Sequence, residues 1–294
     1  MIVAAVIFMT IFFTNRILMV LEQRKVSDKN YYEINGKKIF FHEAGQGSDL
    51  IVLLSGSGIA CPFIDMQPIY ASTLQKKSKV LIIVRLGSGL SDDTFESRDI
   101  DAVSVELMTV IRKRKQTGRI FLAGHSLAGL FVMRMAQRYP EDISGILLMD
   151  SPSILRAANF KDPLPKLLLY MFKYCRILGL LRLYTAAKRL IIGIRGGNSK
   201  DEKIEETAMN KNYFSTAMLK ERLEINAYGK EILNNQVIPV KSIIVYSNNE
   251  LSQWETGEYS YFKKLDCYNI ETNEHFFHHQ NAELIVEKLE KLIS

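Results

Sequence analysis

Cysteine is scarce in this chain, which has three in 294 residues: Cys61, Cys175 and Cys267. They are too few and too widely separated to form a disulfide framework, and their spacing matches no metal-binding motif. The sequence also lacks internal repeats and low-complexity tracts. We therefore expect neither a disulfide scaffold nor a repeat protein, and we predict no metal and no cofactor.

A concentrated basic region is also missing, although the net charge is +6 and the isoelectric point is about 9.0. There is no arginine- or lysine-rich arm and no alternation of aromatic and basic residues of the kind that binds nucleic acid. We exclude a nucleic-acid partner and interpret the excess charge as favouring an anionic membrane surface. The length suits one large domain, or a core with one inserted subdomain.

The first 21 residues are apolar except for four, Thr10, Thr14, Asn15 and Arg16. As a helix they would measure roughly 32 Å, enough to cross a bilayer core. A cleaved signal peptide is the competing interpretation, but no basic region precedes the run and no A-x-A-like site follows it. We predict a membrane anchor helix over residues 1–25. Basic residues at and after its end favour a cytoplasmic main domain, and the side of the membrane stays open.

Regular alternation of short apolar runs with helical patterns dominates the first half of the chain. The runs are Leu50–Leu54, Lys79–Val84, Ile120–Leu122 and Ile146–Asp150, and a similar run, Val240–Tyr246, follows later. Continuous apolar strands separated by helices predict a parallel sheet covered on both faces. An Asn35-Gly36 hairpin precedes them, and helices are predicted over Met66–Gln75 and Ile100–Lys115.

The alternation stops after Asp150. From Ser153 to about Gln236 no clear strand appears, and the pattern predicts helices over Pro165–Leu178, Arg182–Ile192, Asp201–Asn210 and Ser215–Leu233. A weak strand near Tyr268–Ile270 and an amphipathic helix over Ala282–Ile293 end the chain.

One stretch carries the strongest chemical signal. An apolar run ends at Gly124, His125 and Ser126 follow, and Ala128 and Gly129 open an apolar helical pattern. This order predicts a strand, a sharp turn and a helix. The small residues are needed where strand and helix nearly touch, and a serine on such a turn projects its hydroxyl away from both.

Gly124–Gly129 resembles the nucleophile elbow of the α/β-hydrolase superfamily, with Ala128 in place of the last glycine of G-x-S-x-G. The Arg85–Ser91 segment resembles its R-x-G-x-G-x-S turn, to which we assign a structural role. The resemblance covers about residues 31–294. It implies an α/β-hydrolase fold: a mostly parallel central sheet with helices on both faces and an inserted helical lid. The implied divisions are 31–152 for the first part of the core, 153–238 for the lid and 239–294 for the second part.

The same resemblance suggests the catalytic residues. Ser126 would be the nucleophile, and a serine needs a base within hydrogen-bond reach. The chain has five histidines, and His275 lies where the superfamily has its catalytic histidine, in an H-hydrophobic-hydrophobic-H pattern that ends at His278. We expect His275 to be the base, His278 a packing or hydrogen-bonding neighbour, and His279 a solvated surface group.

Two carboxylates compete for the role of the acid that orients the histidine. Glu250 ends a Ser247-Asn248-Asn249-Glu250 turn, where the superfamily usually has a G-x-x-D-like turn, and we prefer it. Asp150, at the end of the strand before the lid, is the alternative, since a carboxylate there also reaches the histidine in some members. Otherwise Asp150 would be a turn or helix-capping residue.

The backbone amides of Ser57 and Leu127 are the predicted oxyanion donors. Leu127 begins the helix after Ser126, and Ser57 lies in the Ser55–Gly58 loop, where the superfamily usually has His-Gly. This glycine-rich loop lacks the lysine and the spacing of a phosphate-binding motif.

Together these features predict a serine hydrolase that cleaves an ester of an apolar or lipid-like acyl substrate through an acyl-enzyme. Dehalogenases and epoxide hydrolases share the pattern but use an aspartate nucleophile, so the serine disfavours them. A proline-iminopeptidase-like aminopeptidase and a non-catalytic, membrane-anchored binding protein remain alternatives. The basic residues of the lid segment, Lys166, Lys173, Arg176, Arg182, Lys188 and Arg189, fit either a hairpin packed on the core or a surface lying on a bilayer.

Overall fold

The structure is a computed structural model, and it describes residues 2–26, 30–72, 78–115, 117–184, 186–187, 200–235, 237–250, 254 and 258–294. Within these residues eight strands form one sheet. They are Tyr31–Ile34 (β1), Lys37–Ala44 (β2), Leu50–Leu54 (β3), Lys79–Val84 (β4), Ile120–His125 (β5), Ile143–Met149 (β6), Ile238–Ser247 (β7) and Phe262–Ile270 (β8).

The strand order in the sheet is β1-β2-β4-β3-β5-β6-β7-β8. Strands β3 to β8 pair in parallel, whereas β2 is antiparallel to both β1 and β4. The β1–β2 turn has positive φ angles at Asn35 (48°) and Gly36 (70°), as the Asn-Gly pair predicts. The carboxyl ends of β3, β5, β6 and β7 therefore meet at one edge of the sheet, where loops can form a site.

The structure also describes ten α-helices. Their bounds are Ile2–Val26 (α1), Pro62–Tyr70 (α2), Ile100–Arg114 (α3), Ala128–Arg138 (α4), Ile154–Ala158 (α5), Lys166–Ile177 (α6), Lys200–Asn212 (α7), Thr216–Leu223 (α8), Ile225–Leu233 (α9) and Ala282–Ile293 (α10). Helices α3, α4 and α9 bury apolar side chains against one face of the sheet, and α2 and α10 cover the other face. This confirms the predicted sheet with helices on both faces.

Several predicted bounds differ from the structure. Helix α2 begins at Pro62, a residue that favours the first turn, and ends at Tyr70 rather than at Gln75. The weak strand near Tyr268 is the end of the nine-residue strand β8. Because β8 lies at the sheet edge and is only partly buried, its sequence lacks the continuous apolar run of the inner strands.

The segment between β6 and β7 contains helices α5 to α9, and we name residues 153–237 the cap. The predicted helix over Ser215–Leu233 is two helices, which meet at Glu224. Residues 188–199 lie outside the described residues. They include Lys188, Arg189 and the second half of the predicted Arg182–Ile192 helix.

Helix α1 lies outside the sheet and packs against α7 of the cap. Over Val6–Lys25 it is long and apolar enough, by length and composition, to cross a membrane, and only 6% of this stretch is buried in the protein. A signal sequence near an amino terminus has the same properties.

Candidate active site

Ser126 lies on the tight turn between β5 and α4. Its φ of 53° is in the left-handed region, which is strained for any residue with a side chain. A Cβ on Gly124 would lie 2.8 Å from the backbone of Ala128, and a Cβ on Gly129 would lie 2.0 Å from Ser151 Oγ. The small residues are therefore required by the close packing of strand and helix around the turn.

His275 lies in the loop between β8 and α10, and it contacts two of the predicted site residues. Its Nε2 is 2.9 Å from Ser126 Oγ, and its Nδ1 is 2.6 Å from Asp150 Oδ2. Asp150 directly follows β6 and is 1% exposed, and its other oxygen accepts a hydrogen bond of 2.7 Å from the Ser247 amide. These are the contacts that a Ser-His-Asp triad requires.

The surroundings of Asp150 favour its charged form. Burial raises the pKa of this carboxyl, but hydrogen bonds from His275 and Ser247 outweigh burial and hold the pKa below its ordinary value. Asp150 is therefore ionised at neutral pH. A buried carboxylate in this position can orient an imidazole and stabilise its protonated form.

Glu250, the acid preferred from the sequence, has a different partner. It forms an ion pair with Arg156 of α5, whereas the Nδ1 of His275 is occupied by Asp150. Burial raises the pKa of Glu250 above its ordinary value, and Arg156 offsets only part of that effect. The preference between the two carboxylates is therefore corrected. Asp150 has a φ of 45°, a left-handed turn at the strand end that a sequence pattern does not reveal.

The loop after β3 passes close to the serine, since a Cβ on Gly56 would lie 3.0 Å from Ser126 Cβ. Arg85 holds this loop in place. Its guanidinium donates to the carbonyls of Ser55 at 2.6 Å and Gly56 at 3.3 Å. Ser57, the predicted oxyanion donor, is the next residue along this fixed loop.

Leu127, the second predicted donor, occupies the N-cap position of α4. The amides of a first helical turn have no acceptor within their own helix, so they are available to an anion. The amides of Gly129 and Leu130 instead donate to the carbonyls of Ser126 and Leu127, at 2.9 and 3.0 Å. The oxyanion roles of Ser57 and Leu127 stay predictions.

Asp65, on α2, connects the two loops that approach the serine. This buried carboxylate accepts hydrogen bonds from Ser55 Oγ at 2.5 Å, His279 Nε2 at 2.9 Å and His278 Nε2 at 3.2 Å. Burial raises the pKa of Asp65, but the two imidazoles outweigh it and hold the pKa well below its usual range. The Ser55–Gly58 loop, which we name the oxyanion loop after its predicted role, and the His275–His279 segment, which we name the histidine loop, are thereby both fixed to Asp65.

This contact corrects the expectation for His279. We expected a solvated surface group, but His279 is only half exposed and its hydrogen bond to Asp65 raises its pKa above the ordinary value. His278 is buried and hydrogen-bonded, as expected. A lone acidic residue within the apolar stretch 59–70 was the available signal for Asp65, and sequence reasoning did not use it.

The same three residues are a possible ligand set for a divalent cation. Asp65, His278 and His279 each present one ligand atom, and these atoms lie within 4.8 Å of one another. Their mutual hydrogen bonds already satisfy the buried carboxylate, so we assign them a structural role.

His125 contacts the backbone of the histidine loop. Its Nε2 lies 2.9 Å from the backbone carbonyl of His275. Burial lowers the pKa of His125 to about 3, so the ring is neutral and its N–H can donate to that carbonyl. The position of His275 is thus fixed through its backbone as well as through its ring.

A buried ion-pair cluster joins the cap to the oxyanion loop. Glu221 of α8 pairs with Arg85 at 3.2 Å and with Arg98 at 2.5 Å. Since Arg85 also holds the carbonyls of Ser55 and Gly56, a cap residue and the loop near Ser126 share one guanidinium.

A cavity of about 410 Å³ lies beside these loops. Its apolar lining includes Ile59, Ile64, Tyr184, Met209, Tyr213 and Phe276. The cavity is therefore bounded by the oxyanion loop, the histidine loop and the cap, and it suits an apolar group.

No protein-family model matches the chain. The protein named uncharacterized protein YbdG of Bacillus subtilis (strain 168) is 36% identical over 118 residues, a match that covers 40% of this chain and 36% of that relative. The matched part thus spans about a third of that relative's length.

Solved structures match almost the whole chain at low sequence identity. Cfl2 from Burkholderia cenocepacia has a TM-score of 0.66 at 16% identity, covering 90% of this chain and 95% of its own. The epoxide hydrolase VrEH1 from Vigna radiata has 0.63 at 14%, covering 90% and 96%. Est816, titled an N-acyl homoserine lactone degrading enzyme, has 0.61 at 14%, covering 89% and 99%. The chain has the α/β-hydrolase fold.

Proposed function

We propose that this protein is a serine hydrolase that cleaves an ester of an apolar acyl substrate. The observation that carries the proposal is the hydrogen-bonded series Ser126, His275 and Asp150, carried on turns and loops at the carboxyl edge of the sheet. The fold hosts many chemistries, so the argument rests on the site. The hydrolases among the structural neighbours agree with it.

In the proposed reaction Ser126 Oγ attacks the ester carbonyl while His275 Nε2 accepts the hydroxyl proton. Asp150 accepts a hydrogen bond from the Nδ1–H of the imidazole and stabilises its positive charge. The amides of Ser57 and Leu127 would bind the oxyanion, a contribution of typically 10²–10³ in rate for each such donor. His275 then protonates the leaving alcohol, and a water molecule, deprotonated by His275, releases the acid from the acyl-enzyme.

Epoxide hydrolase chemistry fits this site less well. In that branch, which resembles the same pattern, the nucleophile is an aspartate, and this chain has Ser126 at the tip of the elbow. The cavity next to the loops that carry Gly58 and Phe276 is lined mainly by apolar side chains, which favours an acyl group as the part of the substrate that is recognised.

We further propose that the cap acts as the lid of this site and that α1 attaches the protein to a membrane. The cap lines the cavity through Tyr184 and Tyr213. The exposed apolar side chains of α1, from Val3 to Leu21, would be stabilised by lipid.

Labelling with a fluorophosphonate probe tests the proposal directly. The detergent-solubilised protein should react, and both Ser126→Ala and His275→Ala should abolish labelling while circular dichroism shows that they are folded. A folded wild-type protein that does not react would contradict the hydrolase proposal. A reactive protein that hydrolyses aminoacyl amides in preference to esters would instead support a peptidase.

A further inference from the structure

Helix α1 turns one narrow stripe of side chains toward the body of the protein. The stripe recurs at intervals of three and four residues, as one face of a helix does. Its members are Phe12, Asn15, Met19, Glu22 and Gln23. Among the other described side chains of α1, apolar groups stay exposed from Val3 to Leu21.

Asn15 fixes α1 to the end of α6. It is 6% exposed, and its Nδ2 donates to the carbonyls of Arg176 at 3.1 Å and Ile177 at 2.9 Å. Arg182 Nε donates to Asn15 Oδ1 at 2.7 Å. A Cβ on Gly179 would lie 3.0 Å from the Asn15 side chain, so the approach is close. Helix α1 is therefore docked on the cap rather than attached by its end alone.

The docked position limits how deeply α1 can enter a bilayer. The stripe runs from Phe12 to Gln23, over more than half of the apolar window Val6–Lys25. Because one face of α1 is held against the body of the protein along that length, lipid cannot surround this part of the helix and can contact only its exposed face.

A cavity of about 450 Å³ lies between α1 and the cap, and Asn15 and Arg16 are among its lining residues. Its basic lining residues are Arg16, Lys37, Lys173, Arg176 and Lys211. Two acidic residues also line it, Asp92 and Asp93. Asp93 accepts hydrogen bonds from the amides at the start of α8, and Asp92 lies 3.4 Å from Lys211. Both carboxylates are thus engaged, and positive charge predominates.

Arg176 is the buried cation of this cavity. It is 8% exposed, its Nη1 donates to the Lys211 carbonyl, and its Nε has no hydrogen-bond partner. Within the described part of the chain no carboxylate lies within ion-pair distance of it. Burial lowers the pKa of Arg176, and the charge of Asp93 offsets only part of that effect. A buried guanidinium without a direct ion-pair partner is a favourable site for an anion, above all a phosphate.

The neighbouring face of α6 is apolar and exposed. Leu167, Tyr170, Met171 and Tyr174 follow the i, i+3, i+4, i+7 spacing of one helical face, and Leu167 is 83% exposed. Lys166 and Lys173 flank this stripe. Such a face is typical of helices that lie in a membrane interface. A tilted α1 would keep its own exposed face and the α6 stripe in that interface together.

We propose that α1 and the cap form one membrane-docking unit that lies in the membrane interface, with the α1–α6 cavity binding the phosphate of an anionic phospholipid. The inference rests on the membrane association proposed above, and it replaces a free helix that crosses the bilayer with one that the cap holds at the membrane surface. It also places Tyr184, which lines the cavity beside the active site, close to the lipid surface from which an acyl substrate would enter.

Depth measurements test the docking geometry. Trp254 is buried and gives a constant background, so tryptophan can be introduced at Tyr174 on α6 and at Val105, an exposed residue of α3, as the control. Full-length protein on vesicles with lipids brominated near the headgroup should show quenching for Tyr174→Trp and none for Val105→Trp. Equal absence of quenching at both sites, or an intact mass that lacks α1, would overturn the inference.

Charge variants test the phosphate site. Binding to phosphatidylcholine vesicles containing phosphatidylglycerol should fall about fivefold for Lys173→Gln, the usual effect of one basic residue near an anionic surface. Vesicle binding should fall further for Arg176→Gln. It should not change for Lys230→Gln, which removes an exposed cation on α9. Because Arg176→Gln can misfold, Lys173→Gln provides the independent result. Unchanged binding in Lys173→Gln would overturn the assignment.

Two further measurements separate the remaining outcomes. Inorganic phosphate that raises the melting temperature of wild-type protein, without preference for phosphatidylglycerol vesicles, would show a soluble-anion site and contradict the lipid assignment. Hydrolysis of a soluble short-chain ester is assayed in parallel. Hydrolysis without vesicle binding would contradict the membrane-docking inference and support the hydrolase proposal. Vesicle binding without hydrolysis would support the docking inference and contradict the hydrolase proposal.

Discussion

Replacing Asp150 by asparagine should almost abolish activity. The carboxylate lies 2.6 Å from His275 Nδ1, and the amide keeps the size but removes the charge that stabilises the imidazolium. An amide can also donate to Nδ1 and favour the wrong tautomer. We expect kcat/KM to fall by about 10⁴, which corresponds to about 5 kcal/mol of transition-state stabilisation.

Glu250→Gln is the matched control, because it makes the same chemical change in the competing carboxylate. The Glu250 side chain is 8% exposed, and that of its partner Arg156 is 46% exposed. Because the half-exposed guanidinium can turn to solvent and glutamine leaves no buried charge, loss of the pair should lower the free energy of unfolding by only about 1 kcal/mol. Activity should stay within about threefold of wild type, a range typical of changes that spare the reacting groups.

The assay is hydrolysis of a short-chain p-nitrophenyl ester, together with the rate of labelling by a fluorophosphonate probe. Circular dichroism shows whether each variant is folded. A Glu250→Gln enzyme that loses about 10³ in rate, beside an Asp150→Asn enzyme that keeps it, would refute the assignment of the acid.

Three other perturbations test the supporting contacts. Gly56→Ala places a methyl group 3.0 Å from Ser126 Cβ and should lower kcat at least tenfold with little change in melting temperature; equal losses in both would mean general misfolding. Because the pKa of His279 is raised by Asp65, that contact should be strongest below about pH 6.5 and weaken as pH rises through the folded pKa. The melting temperature of His279→Gln should therefore lie below that of the wild type at pH 5.5, and the two should become equal at high pH. Glu221→Gln leaves two buried guanidinium groups without their shared carboxylate and should destabilise the protein by about 3–5 kcal/mol, measured by urea unfolding.

The fold could be predicted from the sequence because its inner strands are continuous apolar runs. Leu50–Leu54 is buried along its whole length, and a run of that kind reads as a parallel-sheet strand. The edge strand Phe262–Ile270 gave only a weak signal, since a half-buried edge does not need continuous apolar residues. The docking of α1 on the cap could not be predicted, because it depends on Asn15 meeting helix-end carbonyls more than 150 positions away.

The site was predictable where local geometry determines it. The elbow requires small residues at fixed spacing around Ser126, and this pattern is visible in a single chain. The partner of His275 is different, because two loops separated by 125 positions bring it into contact. The sequence motif favoured Glu250 as the partner of His275, but the left-handed turn at Asp150 brings that carboxylate to His275 instead. Asp65 was missed for the same reason, since its partners come from two distant loops.

The cap and the candidate active site are linked through Arg85. One side of its guanidinium holds the carbonyls of Ser55 and Gly56, and the other side meets Glu221 of the cap. A cap movement that displaced Glu221 would leave Arg85 buried without its counter-ion, at a cost of several kcal/mol. The cap helix that carries Glu221 is therefore expected to stay fixed during substrate entrance.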